Sequence, residues 1–357
     1  MPLPESVGCH FRWSGQIKIL NLFIINSFFR VHKIESYWDR RSFHTILLLP
    51  FSFLFGFFFL IRKLLYEKKI VRAEKIDLPV IVVGNITVGG TGKTSAVIWL
   101  ANYLKEKGFK VGILCSGYGG DNNKYPIQIT SASNPYQVGD EAVHIFRRTE
   151  CVVVSCKHRI KSARFLEQNF SLDVLICDDG LQHYKLMRDI EIHVVHGKKR
   201  FGNEYFLPAG PLREPIKRIK DIDLKIAKGS SKNGEYELTY KPNYLYPLGA
   251  SSKTQPITFF KDREVLAVAG IANPGEFFEM LESKGLRAVK KSFPDHHRFR
   301  AEDFSGYESF PILMTEKDAV KCEGIVGYDF WSISLEYYLP KAFGDAVLKK
   351  LEYFKYG

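Results

Sequence analysis

The sequence predicts an α/β protein built on a mainly parallel, doubly wound sheet of P-loop (Rossmann-like) type, followed by a smaller α/β lobe. Three observations support this prediction. Short β-branched runs alternate with helical patterns from residue 79 onward, which is typical of parallel sheets. A glycine-rich loop separates the first such run from the first helical pattern. An uncharged stretch, which predicts an N-terminal membrane helix, precedes both.

The composition excludes several classes of protein. The chain has 357 residues, of which 45% are hydrophobic and 25% charged. These values rule out a disordered chain, a collagen-like repeat and a disulfide-stapled miniprotein. The net charge of +12 favours an anionic partner. Residues 1–72 hold eleven basic and four acidic side chains, and this asymmetry favours contact with a membrane surface over binding of nucleic acid.

The uncharged stretch runs from Thr45 to Ile61, between Arg40–Arg41 and Arg62–Lys63. Its 17 residues are at the short end of what spans a hydrocarbon core of about 30 Å. Five phenylalanines between positions 51 and 58 leave no polar face. We therefore predict a membrane helix over 43–66, which either spans the bilayer or lies in its interface. Residues 1–42 are an extension of unknown role, part of which could form an amphipathic helix.

The rest of the chain divides into three predicted parts. Residues 67–228 form a P-loop nucleotide-binding domain, residues 229–260 a β linker, and residues 261–357 the C-terminal α/β lobe. The predicted strands are Pro79–Val83, Lys110–Cys115, Cys151–Ser155, Asp173–Cys177, Ile190–Val195, Val265–Ala269 and Ile312–Met314. The predicted helices are Thr94–Lys107, Arg159–Gln168 and Phe277–Lys284. No internal repeat is evident.

The strongest local signal is VGNITVGGTGKT at 83–94, which follows a strand and opens a helix. Its glycines (Gly89, Gly90 and Gly92) let backbone N–H groups surround phosphate oxygens, and Thr91 and Ser95 complete the nucleotide-binding stretch. Lys93 can reach the β- and γ-phosphates, and the Thr94 hydroxyl can bind Mg²⁺. The usual P-loop spacing has a glycine at position 87, where this chain has threonine.

A second signal is the run DVLICDDG at 173–180. A buried strand that ends in acidic residues beside a phosphate loop is where a carboxylate that organises Mg²⁺ belongs. Asp178 and Asp179 both qualify, and the alternative is two acids that cap a turn. The two signals together predict an ATP- or GTP-dependent protein that uses Mg²⁺.

Six motifs occur in one order at compatible spacing: VGNITVGGTGKT, DDGLQH at 178–183, LPAGPLREP at 207–215, GIANP at 270–274, PDHH at 294–297 and TEKDAVK at 315–321. From about Ile46 onward the chain resembles the tetraacyldisaccharide 4′-kinases. The resemblance implies transfer of the ATP γ-phosphoryl group to the 4′-hydroxyl of a tetraacylated glucosamine disaccharide 1-phosphate in lipid A biosynthesis. It also implies the cytoplasmic face of a bacterial inner membrane, with a lipid substrate, no nucleic acid and no obligate protein partner.

The resemblance also assigns roles to individual residues. Asp140 matches the family's catalytic aspartate and His296 its partner, with His297 as the alternative, and Lys93 is the third catalytic residue. Metal binding is expected at Thr94, Asp178, Asp179 and Glu214, and substrate binding or support at Gln182, His183, Arg213 and Lys317. The chain departs from the family at Ser116, where an arginine is usual, and at Ser95 and Ala142, where prolines are usual.

Two other interpretations compete with this one. A membrane-associated P-loop switch ATPase or GTPase would share the phosphate loop and the membrane segment. A GTPase, however, should carry an [NT]-K-x-D motif, and in TEKD at 315–318 the lysine stands in the wrong place. A catalytically dead scaffold is disfavoured because Lys93, Thr94, Asp140, Asp178 and His296 are all present.

Overall fold

A computed structural model describes residue 38 and residues 43–121, 124–249 and 253–356. Apart from Trp38, the predicted extension 1–42 lies outside these residues. Within them, the helices are α1 (Phe43–Glu67), α2 (Lys93–Glu106), α3 (Pro135–Val138), α4 (Asp140–Thr149), α5 (Arg159–Asn169), α6 (Pro274–Ser283), α7 (Glu316–Cys322) and α8 (Lys341–Tyr356). Two 3₁₀ helices cover Ile216–Asp221 and Ala301–Phe304.

The strands form one mixed sheet. They are β1 (Val80–Gly84), β2 (Val111–Cys115), β3 (Ile127–Gln128), β4 (Val152–Ser155), β5 (Val174–Asp178), β6 (Ile190–His196), β7 (Leu224–Lys228), β8 (Tyr236–Pro247), β9 (Gln255–Pro256), β10 (Glu264–Ala269), β11 (Arg287–Ser292), β12 (Pro311–Thr315) and β13 (Asp329–Tyr338). Their order is β11-β10-β12-β13-β8-β7-β6-β1-β5-β2-β4-β3, with β9 beside β8. Strands β1, β2, β6 and β10 each pair in parallel with both of their neighbours in the sheet.

The mainly parallel sheet with helices on its faces confirms the predicted fold class. Strands β1, β2, β5 and β6 are buried at every position, as expected where helices cover both faces of a parallel sheet. Helix α2 buries one face, which includes Ala96, Val97, Leu100 and Leu104. The carboxyl ends of β1, β5 and β2 therefore meet at one edge, where ligands bind in this class of fold.

Strand β8 joins the two lobes. Residues 236–238 pair in parallel with β7 of the first lobe, and residues 239–247 pair antiparallel with β13 of the second. Residues 236–247 of the region predicted as a linker are thus a continuous part of the sheet. The lobe boundaries themselves stay predictions, and residues 250–252 of the linker lie outside the described ranges.

Helix α1 packs along the first lobe on one narrow face. Thr45, Ser52, Gly56 and Phe59 lie on this face and are buried. The Ser52 hydroxyl donates to the carbonyl of Phe206 at 2.7 Å and accepts from the amide of Ala209 at 2.9 Å. The few polar side chains of the apolar run therefore face the protein. The opposite face exposes phenylalanine and leucine side chains, and Thr45–Glu67 is long and apolar enough to cross a membrane.

Candidate active site

The phosphate loop runs from the end of β1 to the start of α2. Gly89 and Gly92 have φ angles of +109° and +92°, a left-handed backbone that favours glycine. Gly92 is the N-cap of α2, so the loop places its amides at the positive end of the helix dipole. Lys93, Thr94 and Ser95 form the first turn of the helix. This local geometry suits the binding of a phosphate group.

Thr87 stands where the usual spacing has glycine, and the structure shows why threonine fits. Its φ angle is not positive, and it forms an antiparallel bridge with Leu212 of the LPAGPLREP segment. The amide of the next residue, Val88, donates to the carbonyl of Pro211 at 2.9 Å. The phosphate loop is thus held against a second segment, and this contact does not require a glycine at position 87.

The second lobe covers the other side of the phosphate loop. A Cβ added to Gly90 would lie 3.3 Å from the Cβ of Ala272, so even alanine there would require the neighbouring segment to move slightly. The Asn273 side-chain amide donates to the carbonyl of Gly90 at 3.3 Å. The GIANP segment of the second lobe is therefore part of the same site as the glycine-rich loop of the first.

Two cations lie beside one carboxylate at the end of β5. The Arg213 guanidinium donates to both oxygens of Asp179, at 3.1 and 2.8 Å, and Lys93 Nζ lies 3.8 Å from Asp179 Oδ1. Burial favours the neutral acid, but the charges of Lys93 and Arg213 outweigh it and hold the pKa of Asp179 below its usual range. The predicted neighbours of the triphosphate therefore form one cluster in the folded chain.

Asp178, the residue before Asp179, is buried. Its Oδ1 has no hydrogen-bond partner within the part of the chain that the structure describes. Burial, reinforced by the charges of Glu141 and Asp179, raises its pKa above the usual range. An unpartnered buried carboxylate oxygen suits a hard cation such as Mg²⁺. The described residues form no group of three or more metal-ligating side chains, as expected for an ion held largely by substrate phosphates and water.

Glu214, predicted as a metal ligand, already has hydrogen-bond partners in the structure. It is buried, and its two oxygens accept from Gln182 Nε2 and from the Tyr184 hydroxyl, both at 2.7 Å. Arg218 Nε lies 3.7 Å from Glu214 Oε2. Because both oxygens already have donors, this arrangement favours a positioning role over metal binding. Gln182 also donates to the carbonyl of Asn85 at 2.9 Å, which ties Glu214 to the phosphate loop.

His183 lies beside the same cluster, in a half-buried position. Burial and the charge of Arg159 lower its pKa to about 3, so the imidazole is neutral at physiological pH. A neutral ring here can donate or accept one hydrogen bond without adding charge to the phosphate pocket.

The catalytic pair predicted from the resemblance meets across the two lobes. Asp140 is the first residue of α4, after Gly139 with a φ angle of +95°, and is buried. His296 comes from the second lobe, and its Nδ1 lies 2.9 Å from Asp140 Oδ1. Burial opposes ionisation of Asp140, but the bond to His296 and the charge of Lys317 hold its pKa below the usual range. The carboxylate is therefore ionised at neutral pH.

His297 lies elsewhere, although it is adjacent in sequence. Its Nε2 lies 2.9 Å from Asp303 Oδ2, and its ring stacks on Phe293. Between the two histidines that the sequence left open, the structure places His296 against Asp140. Lys317 Nζ lies 3.4 Å from His296 Nε2 and 3.1 Å from Glu141, so the predicted supporting lysine is also part of the site.

Sequence reasoning missed two residues of the site. Asn85 is fully buried at the end of β1, where its side chain donates to Thr91 Oγ1 at 2.9 Å and accepts from Arg213. A polar residue directly after an apolar strand was the signal that could have indicated it. Lys321 lies behind Asp140, and no local pattern in TEKDAVK distinguishes it from a solvated lysine.

Comparisons with known proteins agree with this site. Residues 44–352 match the family described as tetraacyldisaccharide-1-P 4′-kinase, LpxK. The chain is 41% identical over 319 residues to a tetraacyldisaccharide 4′-kinase of Nitrosococcus oceani, covering 89% of this chain and 94% of that one. A protein of the same name from Actinobacillus pleuropneumoniae is 42% identical over 300 residues, covering 83% and 92%.

A solved structure shows the same fold. It is LpxK from Aquifex aeolicus, described as an apo form in complex with ATP, with a TM-score of 0.73 and 29% identity. The alignment covers 86% of this chain and 99% of that one. The resemblance inferred from the six motifs is thereby confirmed, and this chain belongs to the tetraacyldisaccharide-1-P 4′-kinase family.

Proposed function

We propose that this chain transfers the γ-phosphoryl group of ATP to the 4′-hydroxyl of a tetraacylated glucosamine disaccharide 1-phosphate, in lipid A biosynthesis. One observation carries the proposal: the Asp140–His296 pair and the phosphate loop lie at the same edge of the sheet, between the lobes. Glu141, the neighbour of Asp140, is close enough to Asp178 for its charge to affect that carboxyl group. A nucleotide switch has no need of such a pair.

Each part of the site then has a distinct task. The sugar hydroxyl loses its proton as it attacks, and Asp140 accepts that proton. His296 Nδ1 fixes the orientation of the Asp140 carboxylate. Lys93 and Arg213 neutralise charge on the triphosphate, and Glu214 and Gln182 position the phosphate loop. Thr94 and Asp178 would hold Mg²⁺, with Asp179 beside them, and the ion would neutralise charge on the β- and γ-phosphates.

The membrane helix suits a lipid acceptor. A tetraacylated substrate stays in the bilayer, so an enzyme that acts on its headgroup has to work at the membrane surface. The exposed apolar face of α1 provides the contact, and the basic residues at its end, such as Arg62 and Lys63, suit anionic headgroups. Because ATP is a cytoplasmic metabolite, we place the site on the cytoplasmic face of the inner membrane.

The test is a kinase assay of the purified full chain in detergent, with ATP, Mg²⁺ and the disaccharide 1-phosphate. We expect a bis-phosphorylated product, and little product with GTP. Asp140→Ala should lower kcat by about 10²–10⁴-fold, the usual contribution of a positioned base, without changing the KM for ATP. Asp345→Ala, on a solvent-exposed helix face, is the matched control. Nucleotide hydrolysis without lipid product would contradict the proposal and favour a switch ATPase.

A further inference from the structure

A buried lysine of the second lobe lies directly behind Asp140. Lys321 belongs to α7, and its side chain is 2% exposed. Its Nζ lies 2.9 Å from Asp318 Oδ1 and 3.5 Å from Asp140 Oδ2. Asp318 is fully buried. A lysine at this depth stays charged only where carboxylates compensate it, so Asp318 and Asp140 share one cation across the lobe interface.

We infer that Lys321 is a positioning residue for phosphoryl transfer: its ammonium group, anchored on Asp318, holds the second oxygen of the carboxylate that accepts the substrate's proton. The inference rests on the role proposed above for Asp140. It adds a residue that touches neither nucleotide nor acceptor and acts through Asp140 alone.

The two oxygens of Asp140 have different partners. Oδ1 accepts from the amide of Glu141 at 2.8 Å and faces His296 Nδ1 at 2.9 Å. Oδ2 lies 3.1 Å from the same imidazole nitrogen and 3.5 Å from Lys321. Without Lys321, His296 alone would hold Oδ2, and the terminal torsion of an aspartate is broad. The lysine therefore restricts the direction of the carboxylate.

Lys321 is itself fixed from several sides. Asp318 Oδ2 accepts from the amide of Gly270 at 2.9 Å and from the Thr315 hydroxyl at 2.8 Å, so the anchor is tied to the ends of β10 and β12. The ammonium group also lies 5.0 Å from the centre of the Phe299 ring. From the first lobe, the Tyr136 hydroxyl donates to the carbonyl of Lys321 at 2.9 Å. Because Lys321 is held firmly, it can fix the orientation of the Asp140 carboxylate as well as compensate its charge.

The charges around Asp140 set the direction of the expected pH effect. The groups that face it are Glu141 and His144 on its own helix, Tyr136 before it, and His296, Lys317 and Lys321 from the second lobe. Burial lowers the pKa of His144 to about 3, so that ring is neutral. Burial of Asp140 favours its neutral form, and Lys321 is one of the charges that oppose this. Its removal therefore raises the pKa of Asp140.

Lys321→Met tests the inference in the lipid kinase assay. We expect kcat to fall about tenfold or more, a typical effect of a misplaced catalytic group, while the KM for ATP stays within about twofold. The ascending limb of the kcat–pH profile should move up by about one pH unit, as expected when an opposite charge is lost nearby. Lys290→Met, which removes a half-exposed lysine of the same lobe, should change neither quantity.

The variant Asp318→Asn gives a second test, in which the ascending limb of the kcat–pH profile should shift in the opposite direction. It removes a negative charge behind Asp140 but keeps a side-chain oxygen for Gly270, so the ascending limb should move to lower pH. A merely structural role of the cluster would not shift the limb in opposite directions in the two variants. If Lys321→Met fails to fold, the direction in which the limb shifts in Asp318→Asn decides whether the inference holds.

Two outcomes overturn the inference. One is an unchanged limb and kcat in Lys321→Met, and the other is a limb that rises or stays in Asp318→Asn. Asp140→Ala, measured beside them, separates this failure from that of the proposed mechanism. If Asp140→Ala keeps full activity, the proposed proton acceptor is wrong. If it is inactive and Lys321→Met matches the wild type, only the role of Lys321 is wrong.

Discussion

Two adjacent histidines of the PDHH motif lie in different environments. His296 has a φ angle of +61°, and this left-handed turn directs its ring toward Asp140, with Tyr118 packed edge-on against it. His297 has its ring between Phe293 and Phe299 and contacts Asp303. The motif therefore combines one residue of the site with one residue of the local core.

This difference predicts separate effects for two matched variants. His296→Asn should lower kcat by about 10²-fold, because Asp140 loses the group that holds its carboxylate; asparagine tolerates the left-handed backbone. His297→Asn should keep kcat within about twofold and lower the free energy of unfolding by about 1 kcal/mol, the usual value of one hydrogen bond. Steady-state kinetics and thermal denaturation measure the two effects. A larger loss of kcat in His297→Asn would show that the assignment is reversed.

A third residue gives a pH prediction for stability. His193, in β6, is buried, and burial lowers its pKa to about 4. The unfolded chain, with a pKa of about 6.5 for histidine, then binds a proton that the folded chain does not. Stability is therefore lost as pH falls below about 6.5, with a slope of up to about 1.4 kcal/mol per pH unit.

His193→Phe should reduce that slope between pH 6 and pH 4.5 (about one proton less, by the linkage relation). Urea denaturation midpoints across this range measure it. Equal pH dependence of wild type and variant would show that His193 is protonated in the folded chain.

At the scale of secondary structure, α1 has two faces with different partners. Ser52, Gly56 and Phe59 pack on the first lobe, whereas Phe53 and Phe57 are 73% and 57% exposed. Because the protein contacts the helix from Ser52 to Tyr66, a bilayer that surrounded the helix fully would displace the first lobe. This geometry favours a helix that lies in the membrane interface.

We therefore predict that Phe53→Asp with Phe57→Asp releases the protein from vesicles of anionic lipid. Asp at the centre of an apolar helix costs about 2.5–3.5 kcal/mol in a membrane, so the bound fraction in flotation assays should fall by at least tenfold. The thermal midpoint in detergent should stay unchanged, since neither side chain packs on the lobe. Ser52→Ala, by contrast, should lower that midpoint. Retained binding of the double variant would mean that another surface contacts the membrane.

The sequence predicted the elements whose signals are local. The bounds of β1, α2, β2 and β5 lie within about one residue of those expected. Hydrophobic periodicity and the glycines that end an element are both visible within one short segment of sequence. Helix α4 was not predicted, because it follows α3 after the single residue Gly139 and its start reads as a turn. As a result, Asp140 was recognised through the family resemblance alone.

At the scale of the whole molecule, the site is divided between two lobes. Asp140 and the phosphate loop belong to the first, and His296, Lys317 and Lys321 belong to the second. No local pattern predicts which residues meet across such a boundary, because the pairing depends on β8 and on contacts between residues more than 150 positions apart. The six motifs and their order indicated which segments form the site. The continuous sheet through β8 brings these segments of the two lobes together.

Two neighbouring arginines of α4 bridge the lobes and allow this arrangement to be tested. Arg148 donates to both oxygens of Glu316, at 2.8 and 2.6 Å, and Glu316 is 7% exposed. Arg147 contacts Glu323, which is 45% exposed. Burial raises the pKa of Glu316 although Arg148 opposes it. A buried carboxylate that loses its partner costs about 3–5 kcal/mol, whereas an exposed pair contributes about 0–1 kcal/mol.

Arg148→Met should therefore lower the urea midpoint strongly and reduce kcat, because Asp140 and His296 lie on opposite lobes. Arg147→Met should change the midpoint little. Adding Glu316→Gln to Arg148→Met should recover part of the midpoint, since the unpaired charge is removed. Equal small effects of the two arginine variants would show that the buried ion pair is not needed to hold the lobes together. In that case the Asp140–His296 pair would form without help from the buried ion pair beside it.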